Sequence, residues 1–416
     1  MSEIKRANLL LPCGNELSKW SVIACDQFTS SPEYWEETEK SVGDAPSTLR
    51  MILPEAYLGT EKAEDSPRRT AEKMHEYLTG GVLREIPGAF LYVERTVRSG
   101  KIRHGILAAV DLEAYDYRPE SDADIKATEK TVEDRLWKRL EVRKTASLEL
   151  PHILIFYNDP ACIVSAELEK DKQSLSKEYD FDLMQGGGHI KGWSVQGEAA
   201  ERLEKQLNGL KEKGENREGL LSAAFAVGDG NHSLATAKLN WEEIRKTLPE
   251  EEKETHPARY ALAELVNVYD TGVEILPIHR IIKNADNEGF IGFCEKWYRD
   301  NSRPGAEKTV TVGIGGQRAE IPVSGLGTGE LVELTDRCLQ AYLEANGGEE
   351  DYIHDDDTAV KLGSEKGSGY VLLPEVQREE IFDTVAHRRI FPKKCFSIGS
   401  AKDKRYYLEC RQITSD

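Results

Sequence analysis

Between Leu220 and Trp241 the spacing of apolar residues changes period across one short turn, and few frameworks accommodate that change. Leu220 to Val227 is an apolar run of the length of a buried strand. It runs into Gly228-Asp229-Gly230. Asn231-His232-Ser233 then opens a stretch in which Leu234, Ala237 and Trp241 recur at helical spacing. A strand that turns directly into a helix belongs to an α/β architecture. Its junction aims free N–H groups and the positive end of a helix dipole at one spot, which Gly228 and Gly230 leave open to a ligand. Asp229 and His232 add an acid and a titratable ring. Asp229, Asn231 and Ser233 are also good helix caps, so two readings stay open: a plain capped turn, or a phosphate site with chemistry attached.

The same alternation extends along the chain. Strands are expected at Ala89–Arg95 and Ile102–Val110, joined by the turn Ser99-Gly100, and at His152–Tyr157, Leu262–Asp270, Glu274–Ile282, Thr309–Ile314 and Gly369–Leu373. Helices are expected at Ala71–Leu78, Thr131–Thr145, Glu198–Lys213, Leu331–Ala345 and Val376–His387. The fold class is therefore α/β, or mixed α+β, with a mixed sheet. Soft borders divide it into an N-terminal α/β region (1–115), a core carrying the turn (116–285) and a C-terminal α/β region (286–416).

Composition sets the class. At 416 residues there is room for two or three domains, and no segment approaches the ~18–20 apolar residues of a membrane span. Met1–Leu11 is too briefly apolar for a signal peptide. The seven cysteines contain no C-x-x-C pair, which suits reduced thiols in a cytoplasmic protein. A net charge of −19 argues against a nucleic-acid surface, which needs clustered Lys and Arg. His354-Asp355-Asp356-Asp357, beside Glu349–Asp351, is read as a solvated loop.

Several other residues bear on a small-molecule site. Gly186-Gly187-Gly188-His189 is either a second phosphate-cradling loop or a hairpin tip. Arg280, after Pro277 and His279, either enters a cleft from a strand end or forms a buried ion pair. Lys393 and Lys394 either reach a phosphate or form an exposed basic turn. Asp26-Gln27-Phe28-Thr29 either lines a pocket or is an ordinary polar loop.

Asp229-Gly230-Asn231-His232-Ser233 is similar to the Asp-Gly-His-His-Arg signature of the ParB/sulfiredoxin-like superfamily, which implies a core of that kind. The wider succession narrows the resemblance. It runs from Ser21–Asp26 through Pro46-Ser47, Leu53-Pro54-Glu55, Thr128–Thr131, Glu133–Leu136, Gly187–His189, Asp229–His232 and Leu276–Arg280 to Phe391–Lys394. This order resembles the bacterial and archaeal family called domain of unknown function 1015, over essentially the whole chain. That family in turn resembles the archaeal free serine kinases. The resemblance implies a nucleotide-dependent kinase acting on free serine or a similar hydroxyl, with ATP or ADP and magnesium. Glu129 inherits the role of general base, beside Asp229 and His232 as catalytic residues. Gly230, Asn231, Ser233, Thr236, His189, Arg280, Lys393 and Lys394 are the expected cofactor-binding residues, and the metal ligands are left open.

The chain departs from the signature at three places. Thr128 and Asn231 stand where histidines are usual, and Ser233 where an arginine would hold phosphate bidentately. The rival reading is therefore a non-catalytic nucleotide or metabolite sensor. A ParB-type DNA clamp lacks its basic stripe here, and a sulfiredoxin-like reductase would need a cysteine where Asn231 stands. The expected partners are a small-molecule substrate and a nucleotide, with no nucleic acid and no membrane; the oligomeric state is left open.

Overall fold

Phe90 and Tyr92 point to one side of a strand and Leu91 and Val93 to the other, and all four are buried. Such a strand must be covered on both faces. The computed structural model describes residues 3–14, 16–131, 133–210, 223–285, 288–387 and 389–415, without the side chains of 133–135 and 138. The ends of two sequence expectations, 211–213 of the helix from Glu198 and 220–222 of the apolar run, lie outside the described residues.

The chain divides into two compact units. Unit 1 comprises Met1–Val273, Val385–Arg388 and Ala401–Asp416. The strands of its main sheet are β1 (Ile4–Lys5), β2 (Ala7–Pro12), β3 (Leu83–Thr96), β4 (Ile102–Asp111), β5 (Tyr115–Asp116), β6 (Ile125–Lys126), β7 (Leu154–Tyr157), β8 (Ser176–Asp182), β9 (His189–Val195), β10 (Phe225–Asp229) and β11 (Tyr260–Asn267). They form one 11-stranded sheet in the order β8-β9-β3-β4-β11-β7-β10-β6-β5, with β1 on β4 and β2 on β3. Pairing is mixed. β10 lies parallel to β6 and β11 parallel to β7, whereas β10 is antiparallel to β7 and β3 to β4.

The two faces carry separate apolar clusters. Leu91, Val93, Leu107 and Leu262 belong to one, and Phe90, Tyr92, Ile106, Ala263 and Leu265 to the other. Helices α1 (Pro32–Val42), α2 (Ser66–Thr79), α3 (Glu133–Thr145), α4 (Ile163–Asp171), α5 (Gly197–Asn208) and α6 (Asn231–Ile244) accompany the sheet. On α6, Leu234, Ala237 and Trp241 are the buried apolar positions that helical spacing predicts.

Unit 2 comprises Glu274–Thr384 and Arg389–Ser400. Its five-stranded sheet contains His279–Lys283, Glu307–Ile314, Gln317–Ser324, Glu349–Ile353 and Gly369–Leu372, with helices Phe290–Asn301, Thr328–Asn346 and Asp356–Gly363. The expected strand Glu274–Ile282 is two shorter ones, Ile275–Pro277 and His279–Lys283, which pair with different partners. Asp355 and Asp356 are not merely solvated. Asp355 caps the helix that follows through Thr358 N, and Asp356 pairs with the buried His279. Among the described residues no helix is long and apolar enough to cross a membrane.

Candidate functional site

At the end of β10 the register against β7 slips between Val227 and Asp229. Both glycines there answer to packing. A Cβ on Gly228 would lie 2.8 Å from the Phe156 ring, and one on Gly230 would lie 3.0 Å from Ile153 Cα. Gly230 is also left-handed, with φ +77°, and it is the residue that caps α6. No side chain makes the cap bond. None of Asp229, Asn231 and Ser233 caps α6 with its side chain, because the left-handed glycine turns the chain without one. Asp229 instead accepts from Gly230 N at 2.9 Å, and its other oxygen lies 3.1 Å from Lys404 Nζ.

The remaining turn residues reach sideways. Thr128 donates its hydroxyl proton to Val227 O at 2.6 Å, so its oxygen accepts from Asn231 Nδ2 at 3.4 Å. That orientation leaves the buried Asn231 Oδ1 with no partner among the described residues. Ser233 Oγ lies 2.9 Å from His152 Nε2 and accepts from Arg139 Nη1 at 3.2 Å. Arg139 Nη2 in turn pairs with Glu55. His152 Nδ1 lies 3.2 Å from Tyr407 Oη, which donates to Cys25 Sγ. An imidazole from the segment before β7 and a guanidinium from α3 thus meet Ser233 in the first turn of α6, and an ammonium from the segment after unit 2 meets Asp229 at the end of β10.

The electrostatics follow from this crowding. Burial raises the Asp26 carboxyl, but His152, the hydrogen bond from Gln27, Arg139 and Lys404 outweigh it and hold it below the ordinary range. Asp26 therefore stays ionised beside the turn. Burial and the Asp26 charge push the Cys25 thiol up to about 12, which removes it as a nucleophile near neutral pH. Burial, with Cys25 and Asp26 beside it, also raises the Tyr407 hydroxyl well above its usual value.

The expected site residues divide into groups. Asp229, Gly230, Asn231, His232 and Ser233 share the turn, and Glu129 follows Thr128, which is bonded to that turn. Thr236 is near in sequence, but its hydroxyl donates to His232 O at 2.7 Å inside the helix. His189 starts β9 near the sheet edge, held between Asp180 and Asp182, and the glycines before it connect β8 to β9 as a hairpin.

Arg280, Lys393 and Lys394 lie in unit 2. Of the two readings of Arg280, the buried ion pair is the one found. It is fully buried and bonded to Asp336, Ile278 O and Lys394 O. Lys393 and Lys394 form an exposed turn. The ammonium found at Asp229 is that of Lys404.

Arg139, His152, Lys404 and Tyr407 were not singled out from the sequence. Each sits in a stretch with no motif of its own, and only folding brings them to the turn. A cavity of about 1050 Å³ lies elsewhere in unit 1, between Arg6, Glu254, Tyr260 and Arg411, and holds none of the turn residues. The convergent polar groups, rather than volume, mark the turn as the candidate site. Among the described residues no three His, Cys, Asp or Glu side chains gather as a metal-ligand set.

Comparison with known proteins gives a family and a set of solved structures. The profile described as "Protein of unknown function (DUF1015)" matches residues 12–333. No functionally curated protein matches. Among solved structures, a conserved hypothetical protein from Pyrococcus furiosus is similar at 13% identity, covering 74% of this chain and 92% of its own, with a TM-score of 0.34. A free serine kinase in complex with AMP is similar at 11% identity, covering 77% and 94%, with a TM-score of 0.36. SbnI with a C-terminal truncation, from Staphylococcus aureus, is similar at 12% identity, covering 70% and 82%, with a TM-score of 0.34.

Proposed function

The chain belongs to the DUF1015 family of proteins of unknown function, and for this member we propose a nucleotide-dependent small-molecule kinase whose phosphate site is the Asp229–Ser233 turn. The observation that carries the reading is the meeting of Arg139, His152 and Lys404 at the N-terminal turn of the 14-residue α6. Phosphoryl transfer asks a protein mainly for positioning and for charge stabilisation. The first amides of α6 and the two cations supply both to a phosphate. Glu129 takes the proton of a hydroxyl acceptor such as free serine, and the ionised Asp26 orients that acceptor.

Magnesium fits on charge. Asp26, Glu55 and Asp229 outnumber Lys404 and Arg139, so a phosphate brought here needs an added cation. Magnesium is commonly held by one or two carboxylates plus phosphate oxygens, and Asp229 and Asp26 are the carboxylates available at the turn. Bound there, the ion would neutralise charge on the phosphates. Asp229 would have to exchange its Lys404 contact for it.

The test is a coupled assay of ATP consumption over a panel of amino-acid and polyol acceptors. Glu129→Gln and Asp229→Asn are each expected to lower turnover about 100-fold or more while ADP still binds. Undiminished turnover in both variants would refute the residue roles. The Asp229–Lys404 ion pair favours one second reading, a nucleotide sensor, because it ties up two groups that turnover would use. Nucleotide binding without turnover across the panel would select it.

A further inference from the structure

The hydrogen-bond directions around Ser233 can be assigned from the network. Tyr407 donates its one proton to Cys25 Sγ at 3.2 Å and accepts from Cys25 N at 3.3 Å, which leaves its remaining lone pair to accept from His152 Nδ1 at 3.2 Å. The imidazole therefore carries its proton on Nδ1, and its Nε2 lone pair faces the Ser233 hydroxyl at 2.9 Å. The serine proton points at the ring, and the serine oxygen receives an N–H of Arg139 at 3.2 Å. A hydroxyl bonded to an imidazole whose far nitrogen is fixed by a third group is the arrangement that activates a nucleophile.

The surroundings suit an anion on that oxygen. Ser233 is half-buried in the first turn of α6, where the helix dipole favours negative charge. Arg139 spends one N–H on Ser233 and one on Glu55. Its three other N–H groups meet nothing among the described residues.

We propose that Ser233 is itself a phosphoryl acceptor, with His152 as its general base. The inference rests on the reading that the turn binds a nucleotide. In the step, Ser233 Oγ bonds to the terminal phosphorus of a nucleoside triphosphate as the bond between that phosphorus and the bridging oxygen breaks. The electron pair leaves with the nucleoside diphosphate, and the serine proton passes to His152 Nε2. The product is a phosphoserine at the head of α6, where Arg139 holds two of its oxygens in charge-assisted bonds. The residue that departs from the signature at 233 thereby becomes the reactive one.

The full-length protein is incubated with magnesium and ATP labelled on its terminal phosphate, then denatured. Retained label is quantified and located by peptide mass spectrometry, while ADP binding is followed in parallel by calorimetry. One phosphoryl group on Ser233 is expected, stable to acid and to hydroxylamine, which distinguishes it from phosphohistidine and acyl phosphate. Ser233→Ala should carry none, Ser233→Thr should retain it, and His152→Ala should label about 100-fold more slowly or worse. ADP binding without label, label on another residue, or an unchanged rate in His152→Ala overturns the proposal alone. Absence of both binding and label overturns it together with the nucleotide reading.

Discussion

Arg405 makes a quantitative test of how the site is held. It is 4% exposed and pairs with Glu264 and Glu409, which are 1% and 0% exposed. Arg405→Met keeps most of the volume and removes the charge. Glu264 would retain Arg103 at 3.8 Å and the charge of Arg95, and Glu409 the Tyr179 hydroxyl at 2.5 Å. Breaking a buried pair in this way costs about 3–5 kcal/mol. A second route gives the same size. An unpaired buried carboxyl escapes by taking a proton, and from an ordinary value of 4.5 this costs about 3.4 kcal/mol near pH 7, at 1.36 kcal/mol per unit.

The two routes imply a pH dependence with a definite sign. Burial raises the Glu264 carboxyl, but Arg405, Arg103 and Arg95 more than offset it and leave the group lowered. Its contribution is thus present above about pH 4.5 and lost as pH falls through the lower folded value. In Arg405→Met the carboxyl is protonated more easily as pH falls, so the deficit relative to the parent should shrink by about 1.4 kcal/mol per unit between about pH 7 and 5. Urea unfolding at several pH values measures it. A deficit under about 1 kcal/mol near neutral pH, or one that does not narrow on acidification, would refute the reasoning. Arg405→Met combined with Glu409→Gln should recover part of the loss, because a neutral amide still accepts from Tyr179.

Two further outcomes are expected. Gly230→Ala forces a left-handed Cβ against the Ile153 backbone and should cost about 1–2 kcal/mol in urea unfolding, with a larger fractional loss of ADP affinity than of stability; unchanged unfolding would sink the packing argument. His104 is raised by the hydrogen bond it donates to Asp270, against a smaller effect of burial, so its stabilisation is complete below about 6.5 and fades as pH rises through the higher folded value. The ring should titrate above 6.5 by NMR and fall back in Asp270→Asn.

What the sequence revealed was local. The strand, the Gly-Asp-Gly turn and the start of α6 were legible because period, glycines and helix spacing all lie within about 20 consecutive residues, where short-range geometry decides. The hairpin β3–β4 and α3 were legible for the same reason. The partners of the turn were not. Arg139 and Arg143 look alike on one charged helix, yet one reaches Ser233 and the other Glu149. Lys404 lies between Asp403 and Arg405, and nothing in that run says which charge meets Asp229. Arg280 after Pro277 reads equally as a cleft arginine or a buried ion pair until its neighbours Asp336 and Lys394, distant in sequence, are seen to enclose it.

Unit 2 is an insertion within the chain that builds unit 1, and this ordering has a consequence for biogenesis. During synthesis, domains tend to fold as they emerge. Here the β10–α6 turn leaves the ribosome long before Lys404, Arg405 and Tyr407, with all of Glu274–Thr384 made in between. A nascent chain halted anywhere before residue 401 can contain the turn, but not the ammonium that binds Asp229 or the hydroxyl that fixes His152. Any phosphate chemistry at the turn is thus silent until residues 404–407 have been made.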